Sequence, residues 1–421
     1  MTAEADKNAE QVRTMAEAAR IAVRVLATTE AARRDRALRE AARSIRAARA
    51  AILKANEEDL ARTVGSTAAF RDRLTLDPAR VEAMAKGLEA IAALPDPLAR
   101  HMGEWTRPNG LTIRRVPQPI GVIGIIYESR PNVGADAAGL CVKAGNAVIS
   151  RGGSESFESA RAIGRAVAEG LAAAGLPADA MQNAPTADRG FVAAMLAAGG
   201  QIDLVVPRGG RSLVERVERE ARMPVLAHAE GLCHTYVHRA ADGEMARRVV
   251  ANAKMRRPGI CGATETLLID AEVASGLLGP IVADLAALGC RFRADERART
   301  ILPSLPEAKP GDFDTEWLDA VLSIAVVDDL ESALRHIVQH GSSHTDAIIT
   351  EDEAAANSFF HGVDSAVVLW NASTQFCDGG EFGFGAEIGI ATGRVHARGP
   401  VGLEQLTTYR YLVSGSGQVR S

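Results

Sequence analysis

Apolar residues recur every three or four positions near the start of the chain, which predicts amphipathic helices across residues 8–62. The repeating positions are Val12, Met15, Ala19, Ala22, Leu26, Leu38, Ala42, Ile45 and Ile52. The stretch 33–49 is rich in arginine but is interleaved with acidic residues. This mixture favours a solvated helix face over a nucleic-acid contact.

Beyond Pro108 the pattern changes to short apolar runs separated by helical stretches. Residues 119–126 form a near-continuous apolar run, typical of a strand that is buried on both faces. Strands that alternate with helices predict βαβ units and parallel sheets. Further strands are expected at 147–150, 202–206, 224–226, 265–269, 325–327, 346–350 and 365–369, and helices at 136–144, 158–174, 274–288 and 330–340.

Two segments outside these runs alternate apolar and polar residues, as exposed strands do. They are 111–116 and 406–412, and we expect them to pair as a small β arm. The fold class is therefore α/β, with two parallel-sheet domains that change over near residue 235. Exposed strand edges of this kind are candidates for contacts between copies of the chain.

Composition narrows the class of protein. Of the 421 residues, 47% are apolar and 24% are charged, and the net charge is −5. These values argue against a disordered chain and against bulk nucleic-acid binding. No apolar run is long enough to cross a membrane. The N-terminus carries Glu4, Asp6 and Glu10 without an apolar core, so we expect a cytoplasmic protein.

The cysteines are candidates for chemistry rather than for cross-links. They are Cys141, Cys233, Cys261, Cys290 and Cys377, and no two form a C-x-x-C pair. Cys261 stands out because small residues flank it and Arg256 and Arg257 precede it, and positive charge favours a reactive thiolate. Cys261 is therefore the best candidate for a nucleophile, although a thiol in a tight turn would give the same pattern.

Two further segments are unusual in composition. Residues 127–132 read Tyr-Glu-Ser-Arg-Pro-Asn directly after a buried strand, which is where ligands bind in parallel α/β sheets. Residues 376–389 are dense in glycine and aromatic residues. Their glycine spacing does not fit G-x-G-x-x-G, so a rigid loop over an active site fits better than a dinucleotide motif. An ordinary polar loop and a glycine-rich surface turn remain the alternatives.

Several common motifs are excluded. The spacings His234-x-x-x-His238 and His340-Gly-Ser-Ser-His344 lack the glutamate of zinc peptidases, so no metal is expected. The sequence has neither a phosphate-binding G-x-x-x-x-G-K-[ST] loop nor a G-x-S-x-G elbow.

These segments together resemble the gamma-glutamyl phosphate reductase family of the aldehyde dehydrogenase superfamily. The resemblance covers nearly the whole chain. It is carried by VPQPIGVIGIIYESRPNV (116–133), KAGNAVI (143–149), VPRGG (206–210), RPGIC (257–261), ETLL (265–268), NAST (371–374), DGGEFGFGAEIGI (378–390) and HARGP (396–400).

The resemblance implies an aldehyde dehydrogenase-like fold in three parts. These are an NADPH-binding domain (1–105 and 119–234), a catalytic domain (235–400) and an oligomerisation arm (106–118 and 401–421). It implies that NADPH reduces L-glutamyl 5-phosphate to L-glutamate 5-semialdehyde and phosphate, the second step of proline biosynthesis from glutamate. A separate glutamate 5-kinase would supply the substrate and could associate with the chain, which is expected to be a homo-oligomer.

The resemblance also implies roles for single residues. Cys261 matches the nucleophile that forms a thioester, and Asn132 matches the amide that stabilises the oxyanion together with the cysteine N–H. The cofactor residues would be Arg151, Ser154, Glu155, Pro207, Gly209, Gly210 and Glu316. Arg130, Ser343 and His344 are candidates for binding the substrate carboxylate and phosphate.

One departure from the wider superfamily leaves alternatives open. Hydrolytic aldehyde dehydrogenases carry a water-activating glutamate in a Glu-Leu-Gly-Gly stretch, where this chain reads Leu-Ala-His-Ala-Glu-Gly-Leu-Cys-His (226–234). His228 or Glu230 falls near that position, depending on the register, and either could be catalytic or structural. A hydrolytic dehydrogenase and a non-catalytic nucleotide-binding scaffold are the competing hypotheses, and retention of Cys261 and Asn132 argues against the scaffold.

Overall fold

The protein divides into two compact units in a computed structural model that describes residues 3–63 and 67–420. Unit 1 comprises Met1–Ala227, Gly383–Gly389 and Val401–Ser421. Unit 2 comprises His228–Phe382 and Ile390–Pro400.

Helices and strands alternate through both units. The helices are α1 (Ala3–Leu26), α2 (Ala31–Ala47), α3 (Arg49–Ala61), α4 (Ala68–Leu74), α5 (Pro78–Ala93), α6 (Val133–Lys143), α7 (Phe157–Ala173), α8 (Gly190–Ala197), α9 (Arg211–Glu220), α10 (Gly243–Met255), α11 (Ala271–Ala287), α12 (Glu296–Ile301), α13 (Leu330–His340) and α14 (Glu353–Gly362). The strands are β1 (Glu104–Thr106), β2 (Thr112–Pro119), β3 (Val122–Tyr127), β4 (Ala147–Arg151), β5 (Met181–Asn183), β6 (Leu204–Arg208), β7 (Cys233–Val237), β8 (Thr264–Asp270), β9 (Arg291–Ala294), β10 (Val321–Val327), β11 (Thr345–Ile349), β12 (Val367–Trp370), β13 (Ile390–Ala391), β14 (Gly399–Pro400) and β15 (Thr407–Ser414).

Unit 1 is built on a four-stranded parallel sheet in the order β5-β4-β3-β6. Every residue of β3 and β4 is buried, which explains why these strands read as continuous apolar runs. The long helical region predicted at the N-terminus forms three helices, because the chain turns at Thr28 and at Ala48. The strand predicted at 224–226 is wrong, since only an isolated bridge joins Val225 to Val205.

The predicted β arm is a three-stranded antiparallel sheet in the order β1-β2-β15. Thr407 pairs with Pro119 and Ser414 pairs with Thr112, so β15 lies along the whole of β2. The pairing expected between 111–116 and 406–412 is therefore confirmed. Most of β15 is exposed to solvent, including the side chains of Tyr409, Tyr411 and Val413.

Unit 2 is built on a six-stranded parallel sheet in the order β12-β11-β7-β8-β10-β9. One core cluster includes Val250, Leu278 and Leu285 from α10 and α11, and another includes Ile337 and Phe359 from α13 and α14. Every residue of β8 and β10 is buried, which fits the apolar composition of β10.

The sequence pattern did not predict β7, although the strand lies near the middle of this sheet and spans the expected domain change at 234/235. The strand contains polar residues, so it does not show the apolar run expected of a buried strand. These residues can be buried because each forms hydrogen bonds with a neighbouring strand. The His234 N–H donates to Asp346 Oδ1 at 2.8 Å, and His234 Nδ1 lies 3.0 Å from the same oxygen. The Thr235 hydroxyl donates to Thr264 Oγ1 at 2.9 Å.

Across residues 3–63 and 67–420, no helix is both long enough and apolar enough to span a bilayer.

Packing of α2 against α7 requires a glycine at position 170. A Cβ built on Gly170 would lie 2.3 Å from the backbone N and Cα of Ala41, so the two helices would have to separate. We expect Gly170→Ala to destabilise unit 1 by about 2 kcal/mol, measured as a urea-unfolding transition at a lower urea concentration.

Gly276→Ala is the matched control, because a Cβ at Gly276 in α11 meets open space. It should leave stability unchanged or raise it by about 0.5–1 kcal/mol. Equal effects of the two substitutions would contradict the packing argument.

Candidate active site

Cys261 lies in unit 2, in the turn that connects α10 to β8. Its side chain is partly buried and packs against Val367, Cys377 and Ile390. The turn is held by its own backbone, since the Ala263 N–H donates to the Ile260 carbonyl at 3.0 Å. The thiol is therefore placed on a fixed backbone next to an apolar cluster.

The carbonyl of Cys261 is held by the segment that leads into β7. The Cys233 thiol donates to the Cys261 oxygen at 3.1 Å. A Cβ at Gly231 would lie only 2.0 Å from that oxygen, so the contact requires glycine. The Gly231 N–H donates to Glu316 Oε1 at 2.9 Å, and burial raises the pKa of this carboxyl. Glu316 thus anchors the segment that supports the cysteine.

Two imidazoles lie beside the Cys261 thiol. The Cys261 sulfur and one ring nitrogen each of His228 and His344 all lie within 4.8 Å of one another. The two rings meet edge to face, with their centroids 5.0 Å apart. A thiol next to an imidazole is the arrangement that activates a cysteine nucleophile.

The orientation of His228 is fixed by a backbone carbonyl. Its Nδ1 lies 2.9 Å from the Ile390 oxygen, and a carbonyl only accepts hydrogen bonds, so Nδ1 carries a proton. In the neutral ring Nε2 is then an acceptor. The sequence left His228 and Glu230 as alternatives for a residue next to the cysteine, and the structure distinguishes them. His228 lies beside the thiol, whereas the Glu230 charge is one of the groups that raise the pKa of Glu316.

His344 is a neutral group at pH 7. Its side chain is fully buried, and burial, with a smaller contribution from His228, lowers its pKa to about 3. Its Nδ1 lies 2.9 Å from the Thr345 hydroxyl and 3.6 Å from the Cys233 sulfur. Any contact it makes with an anionic substrate would be a neutral hydrogen bond rather than an ion pair.

A buried ion pair braces the elements on both sides of Cys261. Lys254 near the end of α10 pairs with Glu265 in β8, and both side chains are inaccessible to solvent. The Leu318 N–H donates to the other Glu265 oxygen at 3.3 Å. Burial raises the pKa of Glu265 to about 7, against the opposing charge of Lys254. Sequence reasoning assigned no role to this pair, whose residues are too far apart along the chain for a helix pairing rule.

In unit 1, the predicted cofactor segments follow three adjacent strands at one edge of the sheet. After β3, the Ser129 N–H donates to Glu155 Oε1 at 2.8 Å. The Glu155 segment itself follows β4. After β6, the Gly210 N–H donates to Glu128 Oε2 at 3.0 Å. Carboxyl edges of parallel strands are the usual place for a nucleotide.

A small cleft opens beside these segments. It is lined by Ser150, Gly152, Phe157, Arg161 and Asn183. Asn183 Oδ1 is buried and has no hydrogen-bond partner among the described residues. Next to the cleft, the Arg151 guanidinium donates to the Ala187 carbonyl at 2.8 Å, and burial lowers its pKa. The orphaned acceptor fits a ligand that brings a hydroxyl or amino donor.

Asn132 stands at the start of α6. Its amide nitrogen donates to Asp136 Oδ2 at 3.1 Å, which leaves the second amide hydrogen for another acceptor. Burial raises the pKa of Asp136 to about 6. Sequence reasoning did not single out Asp136 as the acceptor that orients the Asn132 amide, although its place one helical turn after Asn132 is a readable signal.

The predicted site residues thus fall in two sets. Unit 2 brings Cys261, His344 and Glu316 around the segment 228–233, and Ser343 precedes His344 with a left-handed φ of 58°. Unit 1 holds the remaining predicted residues, namely Arg130, Asn132, Arg151, Ser154, Glu155, Pro207, Gly209 and Gly210.

Comparisons with known proteins agree across nearly the whole chain. The family model "Aldehyde dehydrogenase family" matches residues 2–302. Gamma-glutamyl phosphate reductase of Acidiphilium cryptum is 68% identical over 97% of this chain and 97% of its own length. The same enzyme of Gluconobacter oxydans is 67% identical over 96% and 95%, respectively.

Solved structures give the same picture. The crystal structure of gamma-glutamyl phosphate reductase from Thermotoga maritima has a TM-score of 0.95 and 40% identity, and covers 97% of this chain and 100% of its own. An acetylating aldehyde dehydrogenase from Geobacillus thermoglucosidasius has a TM-score of 0.70 at 17% identity, and covers 100% of both chains. This second likeness concerns the fold alone.

The contact between Gly231 and Cys261 gives a sharp test of the site. Gly231→Ala should push the Cys261 backbone away and lower kcat by about 100-fold, because small misplacements of reacting groups are costly. Gly259→Ala is the matched control two residues from the cysteine, where the nearest atom to a new Cβ is 3.5 Å away. The control should keep nearly full activity in a steady-state assay. If both variants are equally active, the contact does not position the thiol.

Proposed function

The chain belongs to the aldehyde dehydrogenase family and, within it, to the gamma-glutamyl phosphate reductases, so we propose that it reduces L-glutamyl 5-phosphate to L-glutamate 5-semialdehyde and phosphate with NADPH. The fold class and the family expected from the sequence are confirmed by these relatives. The reaction is a step of proline biosynthesis. The observation that carries the proposal is the Cys261 thiol beside the His228 imidazole.

The first half of the reaction makes a thioester. The Nε2 atom of His228 accepts the thiol proton, and the Cys261 thiolate attacks the acyl carbon of the substrate. The bond from that carbon to the phosphate oxygen breaks, and phosphate leaves with the electron pair and takes up the proton held by His228. The Asn132 amide donates to the negative carbonyl oxygen as it forms.

The second half releases the aldehyde. A bound reduced nicotinamide supplies the hydride that converts the thioester to the aldehyde oxidation level. The Asn132 amide again stabilises the charged oxygen. The tetrahedral alkoxide, still bonded to Cys261, then collapses to the aldehyde and breaks the carbon–sulfur bond. The Cys261 thiolate regains a proton from solvent through His228.

The adenosine end of the nicotinamide cofactor that the family uses would bind at the carboxyl edge of the unit 1 sheet. The unpartnered Asn183 Oδ1 would accept from a hydroxyl or amino group, and the Phe157 ring gives an apolar wall. The predicted residues at the end of β4 and after it have different roles: Arg151 and Ser154 would hold the ribose, and Glu155 would line the same edge by holding Ser129 in place. The 207–210 segment would approach the pyrophosphate. Preference for NADPH is supported by Arg161, whose charge suits a 2′-phosphate. Glu155 already accepts from Ser129, so its carboxylate is turned to the protein.

The other predicted residues also have roles in this proposal. Glu316, besides anchoring Gly231, would meet the nicotinamide ribose. Arg130 is exposed and carries the charge that the substrate carboxylate or phosphate needs, while Ser343 and the neutral His344 would add hydrogen bonds.

The sheet of β1, β2 and β15 would join copies into a homo-oligomer through its exposed edge. A cytoplasmic location and association with a separate glutamate 5-kinase complete the proposal, and five cysteines outside disulfides suit a reducing compartment.

The reaction is best tested in reverse, because the acyl phosphate is unstable. Pyrroline-5-carboxylate in equilibrium with the open semialdehyde would be mixed with NADP⁺, with and without phosphate. We expect NADPH to form only with phosphate present, to form more slowly from NAD⁺, and to disappear in Cys261→Ala. Cys377→Ser is the matched control, a neighbouring thiol that should be dispensable. Turnover without phosphate would indicate a hydrolytic dehydrogenase, and no turnover by folded protein would favour a nucleotide-binding scaffold.

The base role of His228 has a separate readout. His228→Gln should lower kcat/KM by about 100-fold or more, as loss of a general base does. It should also slow alkylation of Cys261 by iodoacetamide near pH 7, and higher pH should restore the rate because the thiol then ionises unaided. His361→Gln, on an exposed face of α14, is the control and should alkylate normally. An unchanged alkylation rate in His228→Gln would exclude the base role.

A further inference from the structure

We propose that Cys261, His228 and His344 form a binding site for a zinc ion, and that zinc bound there reversibly blocks the cysteine. The three ligand atoms come from three different segments of unit 2, namely the turn after α10, the segment before β7 and the bend just before β11. This site goes beyond reduction of the acyl phosphate, since it needs only the side chains and no substrate.

The spacing of the ligand atoms suits zinc after a small adjustment. All three lie within 4.8 Å of one another. Zinc binds sulfur at about 2.3 Å and nitrogen at about 2.0 Å, so a tetrahedral ion separates its ligands by about 3.5 Å. The His228 and Cys261 side chains are partly buried, whereas His344 is fully buried. Side-chain rotations that move the His228 nitrogen and the Cys261 sulfur by about 1 Å would bring all three ligand atoms to the distances that zinc requires.

A second observation points to a ligand at the same place. His344 Nε2 is buried and has no hydrogen-bond partner in the described part of the chain. Its Nδ1 is occupied by the Thr345 hydroxyl, so Nε2 is the nitrogen that remains for a metal. The Nδ1 of His228 is likewise occupied by the Ile390 carbonyl. A backbone or hydroxyl partner on the second nitrogen is the usual support of a zinc-bound histidine.

The chemistry of the donors selects the metal. One thiolate and two imidazoles, without a carboxylate in the group, favour zinc over magnesium, calcium or manganese. Three protein ligands leave a fourth position for water or an oxygen of the substrate phosphate. Zinc would hold the sulfur electron pair that attacks the acyl carbon, so the bound form would be inactive until a chelator removes the ion.

The site differs from the two-histidine spacings that the sequence excluded. Within those motifs His344 was paired by spacing with His340, but His340 Nδ1 lies 2.7 Å from Asp314 instead. His228 and Cys261 are far from His344 in sequence, and only the fold brings the three together. Spacing along the chain therefore carried no signal for this set.

Cobalt substitution tests the site without relying on activity. Co²⁺ added to the purified protein should give a thiolate-to-cobalt charge-transfer band with a stoichiometry of one per chain, and Zn²⁺ should displace it. Cys261→Ser should abolish the band. His344→Gln and His228→Gln should each weaken Zn²⁺ binding by about 100-fold, since even outer partners of a zinc ligand contribute about 10–100-fold. His361→Gln is the control and should bind normally.

Protection of the wild-type thiol gives a test that does not depend on variants folding. Zn²⁺ should slow alkylation of Cys261 by iodoacetamide, and EDTA should restore both alkylation and reductase activity. Absence of the charge-transfer band, or zinc binding that survives in Cys261→Ser, would overturn the proposed site. Because these readouts need no substrate, zinc can bind even if the proposed reaction fails, and the two results are distinguishable.

Discussion

The close contact between Gly231 and the carbonyl oxygen of Cys261 is the constraint on which the catalytic half of the molecule depends. It is possible only because residue 231 has no side chain. The same oxygen accepts from the Cys233 thiol, and Glu316 holds the Gly231 N–H from behind. A cysteine whose backbone is fixed in this way keeps its sulfur beside the imidazoles without having to be ordered at each turnover.

The buried ionisable groups near this contact are either paired with an opposite charge or kept neutral. Lys254 and Glu265 neutralise each other in the interior, where removal of either partner would leave an uncompensated charge. His344 is kept neutral by burial. His228 is suited to proton transfer, because its Nδ1 donates to a carbonyl and its Nε2 is then left as an acceptor in the neutral ring. The same two features, a fixed thiol and two oriented imidazoles, make the group suitable for a soft metal ion.

Much of this could be predicted from the sequence, for reasons that differ between elements. The buried strands β3 and β4 were readable because both faces are covered by helices, and the β arm was readable from its alternation of apolar and polar residues. Strand β7 was missed, since His234 and Thr235 look like loop residues until their partners Asp346 and Thr264 are known. Cys261 was found from its flanking residues, and the choice between His228 and Glu230 needed the fold. Lys254 and Glu265 act through a pairing that composition does not reveal.

The most direct test of the account is to trap the acyl group on the cysteine. The protein would be mixed with pyrroline-5-carboxylate and NADP⁺ without phosphate, quenched in acid and measured by intact-protein and peptide mass spectrometry. The account predicts one glutamyl group per chain, attached through a thioester to Cys261 and released when phosphate is added before the quench. Turnover with phosphate but without any adduct, or an adduct on another residue, would contradict a thioester mechanism at Cys261.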